Sequence, residues 1–142
     1  MSRYIFLCLI VLLSLTGCQT LSGNERTLYE DLGGKKKIEE FVDRFIEQIG
    51  YNPLIIHQFE NIDLEQFRRN SIAHTCHIAD GPCEYNGRHM KEAHDGLNVT
   101  EEEFNSSTDS MVEAMKQTGW SVDLRNRLLE RLSKFRDEVL YQ

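Results

Sequence analysis

The sequence predicts an all-α domain whose helices have unequal lengths. Apolar residues recur at helical spacing along most of the chain, and no stretch alternates apolar and polar residues well enough to predict a strand. Residues that cap helix N-termini, and glycines that end helices, divide this pattern into segments. The 142 residues are 40% hydrophobic and 27% charged, which is typical of one soluble domain rather than a disordered chain or a membrane bundle.

The charge and the cysteine content exclude two further classes of protein. The formal net charge is −7, whereas a nucleic-acid-binding protein needs a basic face to neutralise phosphates, so no nucleic-acid partner is expected. Four cysteines, two of them within the first 18 residues, are too few for a small fold held together by disulfides.

The first residues predict an export signal rather than part of the fold. A single positive residue, Arg3, precedes an apolar run that is too short to span a bilayer and has the length of a secretory signal core. The run closes with Leu15-Thr16-Gly17-Cys18, which resembles the bacterial lipobox. The alternative is an ordinary signal peptide with an incidental cysteine.

The lipobox resemblance implies a signal peptide over 1–17 that is cleaved before Cys18, and lipidation of Cys18. Several acyl chains would anchor the protein stably in a membrane. Residues 18–26 are then the lipidated cysteine and a short polar tether. Gln19 in the sorting position implies the bacterial outer membrane, facing the periplasm.

The longest predicted helix follows Gly33-Gly34 and ends before Asn52-Pro53, two pairs that break helices. A short helix over 28–32 precedes the glycine pair. The apolar residues of the long helix are spaced i, i+3, i+4, i+7, i+8 and i+11, which forms one continuous face. They are Ile38, Phe41, Val42, Phe45, Ile46 and Ile49.

The middle of the chain predicts a short segment over 54–59 and a helix from about Asp63 to Ile78. Asp63 is the expected N-cap, and Gln66 is its expected capping-box partner. Asp80-Gly81-Pro82 ends this helix. An irregular stretch then leads to a short helix over 88–95.

The last third of the chain predicts two more helices. Thr100 opens the first of them with a capping box, and that helix ends at Gly119. Ser121 caps the second helix. The apolar residues predicted to be buried are Phe104, Met111, Val112 and Met115 in the first helix, and Leu124, Leu128, Leu132, Phe135 and Val139 in the second.

His94 is the first candidate for chemistry, because the sequence contains no nucleophile elbow, phosphate-binding loop, dinucleotide fingerprint or HExxH. It lies four residues after Met90 on a short helix. An imidazole there can bind a metal through one ring nitrogen while the other hydrogen-bonds a backbone carbonyl of the preceding turn. On spacing alone, a surface histidine is the competing interpretation.

His74, Cys76, His77 and Cys83 form a second candidate cluster. Successive residues of a helix are rotated by about 100°, so a zinc or copper site made from these four side chains would be awkward. A Cys76–Cys83 disulfide is favoured, because the break at residues 80–82 lets the chain turn back. Closing so small a loop would stabilise the fold by ~2.5 kcal/mol in the chain-entropy model. Unpaired thiols are the third interpretation.

Several motifs, taken in order, resemble the truncated globins, especially the first group of that family. Residues 28–34 resemble the opening helix and first glycine pair, and residues 53–59 resemble the segment that delivers a phenylalanine packed on the haem. Residues 80–82, then 85–87, then 90–94 resemble the second glycine motif, the Tyr-x-Gly turn and the proximal-histidine helix. The similarity runs from about Thr27 to Val139.

This resemblance implies that residues 27–142 form a two-over-two helical sandwich that holds haem b, with His94 as the proximal ligand of the iron. Ordinary core packing also explains most of the apolar residues in the implied haem site. Arg68, Arg69 and Arg88 are either partners of the haem propionates or solvated surface charges. The implied cofactor-binding residues are His94, Phe45, Ile46, Phe59, Phe67, Ser71, Met90, Val99 and Phe104.

The distal side departs from the family pattern. Ile46 stands where the family commonly has a tyrosine, and Phe67 and Ser71 stand where it often has glutamine or another hydrogen-bond donor. Losing a distal donor weakens the retention of oxygen. Asn70 and His74 would compensate only if their helix rotates, and His74 is expected to point past the haem edge.

The implied function is reversible binding of a diatomic gas, oxygen or nitric oxide, by a lipid-anchored haem protein. Turnover of nitric oxide or peroxide at the haem is left open as an enzymatic function, and the apolar distal side weakens it. The absence of CxxCH argues against covalent haem attachment. The sequence does not identify a redox partner. The alternative is a haem-free metal-binding or adaptor lipoprotein that uses the His74, Cys76, His77 and Cys83 cluster on a globin scaffold.

Overall fold

The computed structural model describes residues 26–142, and every regular element within that range is helical. The predicted signal peptide, Cys18 and most of the tether therefore lie outside the described residues. The elements, in chain order, are α1 (Leu28–Asp31), α2 (Gly34–Tyr51), a 3-10 helix (Ile56–Phe59), α3 (Leu64–Ile78), α4 (Met90–His94), α5 (Glu101–Gln117), α6 (Val122–Ser133) and α7 (Arg136–Val139).

Helix α2 is the centre of the fold and packs against both α3 and α5. Its predicted apolar face is confirmed, because five of its six residues are buried: Ile38, Phe41, Val42, Phe45 and Ile49. Each such side chain contributes about 1.5–3 kcal/mol when it is fully removed from water. The sixth residue, Ile46, is only half-buried.

Trp120, in the turn between α5 and α6, closes the core at the other end. Its ring centroid lies 5.1 Å from that of Phe41, and only 6% of the residue is exposed. The indole Nε1 donates a hydrogen bond of 2.9 Å to the backbone carbonyl of Leu32. The turn after α1 and the turn after α5 are thereby joined in one contact.

The helix starts agree closely with the caps that the sequence predicts. Thr100 and Glu103 form both hydrogen bonds of a capping box at α5, and the Ser121 hydroxyl accepts from the backbone N–H of Leu124 at α6. Asp63 accepts from the backbone N–H of Gln66 at α3. Among the described residues the return bond from the Gln66 side chain is absent, so the predicted box is only half formed.

Two helices differ from the prediction. Helix α4 covers five residues, which is shorter than the predicted 88–95. The last helix is interrupted after Ser133, because Phe135 adopts a backbone conformation outside the helical region and turns its ring towards α3. No helix of residues 26–142 combines the length and the apolar character that a membrane span requires.

Candidate functional site

Helix α3 is joined to its neighbours by two aromatic contacts at opposite ends. Near its start, the Phe67 ring meets the Phe59 ring of the 3-10 helix edge to face, with centroids 5.3 Å apart. Near its end, the His74 ring meets Phe135, just before α7, at 5.1 Å. These contacts place the 3-10 helix and the start of α7 along the length of α3.

Helix α5 is joined to the same two segments by polar groups. The Arg136 guanidinium of α7 lies 5.8 Å from the centroid of the Phe104 ring. The Gln58 side chain of the 3-10 helix donates to a Glu103 carboxylate oxygen at 3.3 Å. The four contacts connect the 3-10 helix, α3, α7 and α5 into a ring.

The half-buried apolar side chains of the 3-10 helix, α3 and α5, together with one residue each from α2 and α4, are what we call the apolar wall. Helices α3 and α5 both pack extensively on α2 and have no comparable contact with each other, so their apolar residues remain only half-buried. The prediction that Phe104 and Val112 are buried core is therefore wrong, and Met111 packs against the core but is only half-buried. The apolar wall consists of Ile46, Phe59, Phe67, Met90, Phe104, Met111 and Val112.

Two of the residues that the sequence assigned to the cofactor lie in the core instead of the apolar wall. Phe45 is 7% exposed and stacks on Phe41, with ring centroids 6.3 Å apart. Val99 is 8% exposed, and its carbonyl accepts a hydrogen bond from the backbone N–H of Tyr141. Ser71 is half-buried on α3, and it is the one of the three predicted distal residues that carries a hydroxyl group.

His94 ends helix α4, which packs against α7. Its Nδ1 lies 2.7 Å from the backbone carbonyl oxygen of Met90, one turn earlier. A carbonyl can only accept, so Nδ1 carries the proton in this bond, and the neutral ring then has its lone pair on Nε2. The half-buried imidazole is therefore held in the tautomer that binds a metal through Nε2.

His74 is held between two aromatic rings, with Tyr85 at 5.0 Å and Phe135 at 5.1 Å. Burial, with a smaller contribution from the nearby His77, lowers the pKa of His74 from 6.5 to about 4. The imidazole is therefore neutral near pH 7.

We expect the His74 imidazole to make folding stability depend on pH. Its pKa is lower in the folded chain than in the unfolded one, so protonation favours unfolding, and stability present above pH 6.5 is lost as the pH falls towards 4. The loss should be about 1–3 kcal/mol between pH 7 and pH 4. Urea unfolding at several pH values measures it, with His74→Phe as the matched variant that keeps the aromatic contacts. Equal pH dependence in both proteins would contradict the prediction.

The second candidate cluster is a disulfide in this structure, not a metal site. Cys76 and Cys83 are bonded, with Cα atoms 5.9 Å apart. Their sulfurs are therefore not free to act as thiolate ligands. Among residues 26–142, no three histidine, cysteine, aspartate or glutamate residues are placed to hold a metal ion. The alternative zinc or copper site is thus not assembled.

The three arginines proposed for the haem propionates have different surroundings. Arg68 is committed to Asp43 of α2 through two hydrogen bonds, one of 2.9 Å, and this pairing lowers the pKa of the Asp43 carboxyl. Arg69 and Arg88 are exposed. Arg68 is therefore removed from the candidates, and the other two are kept.

Two surface clefts lie away from the apolar wall. One lies between α2 and α5 beside Tyr51, and the other lies between α2 and α3 beside Asp43. Both are lined mainly by polar and charged side chains, and Arg68, in the second cleft, is the one predicted candidate among their lining residues.

Sequence reasoning missed the parts played by Phe135, Arg136 and Tyr85. Phe135 was assigned to the apolar face of the last helix, whereas its ring packs on His74. Tyr85 was noted only as part of a motif, yet its hydroxyl donates to the backbone carbonyl of Arg88 at 2.7 Å. The Tyr-x-Gly spacing is the signal in the sequence that indicates this role. Only glycine fits at position 87, because a Cβ there would lie 2.5 Å from the Tyr85 hydroxyl.

Comparison with known proteins agrees with this architecture. A family model described as bacterial-like globin matches residues 27–141, and the chain therefore belongs to that family, as a truncated globin. The chain is 31% identical to a group 1 truncated haemoglobin of Nostoc sp. (strain MUN 8820) over 114 residues, which are 80% of this chain and 97% of that protein. It is 24% identical to a group 1 truncated haemoglobin of Tetrahymena pyriformis, over 81% of this chain and 95% of that protein.

Solved structures have the same fold. The Fe(III) form of truncated haemoglobin from Tetrahymena pyriformis superposes with a TM-score of 0.79 at 24% identity, covering 82% of this chain and all of that one. The two-over-two haemoglobin of Synechococcus gives 0.76 at 21% identity, covering 81% and 98%. The predicted two-over-two fold is confirmed. Because the match accounts for the whole Tetrahymena chain, the part of this chain that it covers has the entire two-over-two fold.

Proposed function

We propose that this protein binds haem through His94 and reversibly binds a diatomic gas, oxygen or nitric oxide, at the haem iron. The observation that carries the proposal is the hydrogen bond from His94 Nδ1 to the Met90 carbonyl, which leaves the Nε2 lone pair available for a metal. Truncated globins generally bind haem, and the Synechococcus haemoglobin was solved with covalently attached haem. The absence of CxxCH leaves non-covalent haem b as the form proposed here.

The residues present fit this group. A flat apolar macrocycle needs an apolar surface, and the apolar wall offers half-buried aromatic and aliphatic side chains from five segments. Haem supplies an iron that takes one protein nitrogen and one exchangeable gas ligand. His94 supplies that nitrogen, the apolar wall excludes water, and the exposed Arg69 and Arg88 are available for the propionates.

A haemin titration of residues 26–142 tests the proposal. We expect one haemin per chain, with a Soret band and, after reduction, the visible bands of a histidine-ligated haem. A titration in which the absorption remains that of free haemin at all ratios would overturn the proposal.

The apolar distal residues are expected to make oxygen leave quickly. Ile46 and Phe67 offer no hydrogen-bond donor, and Ser71 offers only a hydroxyl. Ile46→Tyr should therefore slow oxygen dissociation by about tenfold to a hundredfold, since a hydrogen bond to a charged group contributes about 1.5–3 kcal/mol. Ile46→Phe is the matched control, because it adds the ring without the hydroxyl. Stopped-flow measurement of oxygen dissociation gives both rates, and equal rates in the two variants would contradict the prediction.

We also propose that the protein is lipid-anchored at Cys18, outside the cytoplasm and in the bacterial outer membrane. The support is the Leu15-Thr16-Gly17-Cys18 motif at the end of the apolar run. In cells fed labelled palmitate, we expect incorporation into the wild-type chain and none into Cys18→Ser, which should leave the membrane fraction. Cys8→Ser, which changes a cysteine inside the apolar run, is the control and should remain labelled. Labelling of Cys18→Ser would overturn the anchor.

A further inference from the structure

The Cys76–Cys83 disulfide lies at the start of the loop between α3 and α4, which we call the 79–88 loop. It joins the buried end of α3, where Cys76 is 0% exposed, to the half-buried Cys83. This loop leads directly to α4, which carries His94. The disulfide is thus the covalent connection between the core and the approach to the proposed iron ligand.

The beginning of the loop is held by contacts that do not depend on the disulfide. The backbone N–H of Tyr29 donates to the carbonyl of Ala79 at 2.7 Å. Arg131 donates to the carbonyl of Ile78 at 2.7 Å and forms an ion pair with Asp80 at 2.7 Å. The backbone N–H of Gly81 donates to the carbonyl of Cys76 at 2.9 Å. Up to Gly81, the chain is therefore fixed by hydrogen bonds.

Beyond Gly81, the disulfide is what fixes the position of the chain. In the part of the chain that the structure describes, no backbone–backbone hydrogen bond fixes residues 82–87. The side chains of Cys83 and Tyr85 are half-buried, whereas Glu84 and Asn86 are exposed, which is the alternation of an extended segment. The Cys83 bond and the Tyr85 ring are thus the anchors of this stretch.

Tyr85, two residues after Cys83, connects the loop both to α3 and to the residues just before α4. Its ring packs on His74 of α3 at 5.0 Å, and its hydroxyl donates to the carbonyl of Arg88 at 2.7 Å. Arg88 lies two residues before Met90, whose carbonyl holds His94 Nδ1. Contacts and two short stretches of backbone therefore link the disulfide to the imidazole.

We propose that the thiol–disulfide state of Cys76 and Cys83 sets the position of α4 and so controls how firmly haem is held. The inference depends on the proposed haem function. The disulfide fixes the 79–88 loop and orients His94, and reduction by a dithiol protein or small dithiol releases the loop and loosens the hold. The protein is proposed to lie outside the reducing cytoplasm, and disulfides form and persist there.

The reduction balances as an ordinary thiol–disulfide exchange. A donor thiolate attacks Cys83 Sγ, the more accessible sulfur, and the S–S bond breaks with Cys76 leaving as a thiolate that takes a proton. The second donor thiolate attacks the mixed disulfide, releases Cys83 as a thiolate that takes the second proton, and closes the donor disulfide. Two electrons and two protons pass from the donor to the protein.

The test uses residues 26–142, which contain only these two cysteines. Three haemin-loaded samples are compared: the disulfide form, the same protein reduced with a water-soluble phosphine that is then removed, and Cys76→Ala/Cys83→Ser. We expect haemin transfer to apomyoglobin to be about tenfold faster in the second and third samples. On a logarithmic scale, this factor is about half of the stabilisation that the chain-entropy model gives for closing so short a loop. The phosphine should not change the double variant.

Two further readouts separate control of His94 from a general loss of stability. The iron–histidine stretching band of the reduced protein should shift in the second and third samples, and backbone hydrogen exchange of residues 82–94 should accelerate even in haem-free protein. Ser121→Ala removes the cap at the start of α6, the end of that helix opposite Arg131, and should lower stability without shifting the band.

Equal haemin transfer rates with an unshifted band would overturn the inference while leaving the proposed function intact. A shift in Ser121→Ala equal to that of the double variant would also overturn it, because the effect would then be one of stability. If no sample bound haemin, the proposed function would fail, and the proposed regulation of haem binding by the disulfide would fail with it.

Discussion

Replacing His94 with glycine is expected to remove the histidine-ligated haem spectrum, and added imidazole is expected to restore it. The hydrogen bond of 2.7 Å from Nδ1 to the Met90 carbonyl fixes the ring and leaves Nε2 as its only metal-binding atom. Losing an outer partner of a metal ligand already weakens metal binding by about 10–100-fold. Losing the ligand itself should therefore lower haemin affinity by more than about a hundredfold.

The measurement is a haemin titration of residues 26–142 and the variant, followed by absorption, with and without imidazole. Free imidazole can occupy the space that glycine leaves, so recovery of the spectrum would show that His94 acts as a ligand and not only as a structural residue. His89→Ala is the matched control: His89 is exposed, lies directly before α4 and makes no capping hydrogen bond. An unchanged spectrum in His94→Gly, or a lost spectrum in His89→Ala, would contradict the assignment.

Trp120→Ala is expected to lower the free energy of unfolding by about 3–5 kcal/mol, the usual cost of truncating a large buried aromatic residue. The indole is 6% exposed and packs on Phe41. The indole N–H also donates a hydrogen bond to the backbone carbonyl of Leu32, and the substitution removes this bond. Because a domain of this size has a total stability of about 5–15 kcal/mol, this single change removes a large part of it.

Urea unfolding followed by circular dichroism measures this loss. Fluorescence would not compare the variants fairly, because Trp120 is the only tryptophan. Trp120→Phe keeps most of the ring packing and loses the hydrogen bond, so it should cost about 1–3 kcal/mol. A loss below about 1 kcal/mol in Trp120→Ala would show that the two turns are not held together by this residue.

Most of the fold was predictable because its signals are local. The apolar face of α2 follows from spacing within one helix, and the starts of α5 and α6 follow from caps within three residues of Thr100 and Ser121. The part of the site that was predictable is local too. His94 follows Met90 by four residues, and the expected bond to a carbonyl of the preceding turn is present.

The remainder depends on partners far apart in the sequence, which no local pattern reveals. Trp120 donates to a carbonyl 88 residues earlier, and its surroundings show no helical periodicity. The Arg68 pairing with Asp43 joins two helices, so a candidate for a propionate was already occupied. The interruption at Phe135 arises because packing on His74 outweighs the continuous apolar pattern of the last helix.

The way α1 is docked determines how mechanical load would enter the molecule. The Tyr29 backbone N–H is bonded to Ala79, and Asp31 is bonded to Arg127 of α6 at 2.9 Å. If the chain is held at a membrane through Cys18, as proposed, a pulling force reaches these contacts first. They connect to the end of α3 and to α6, and not to α4. The point of attachment is thus separated from the helix that carries His94 by the 79–88 loop, which begins at Ala79.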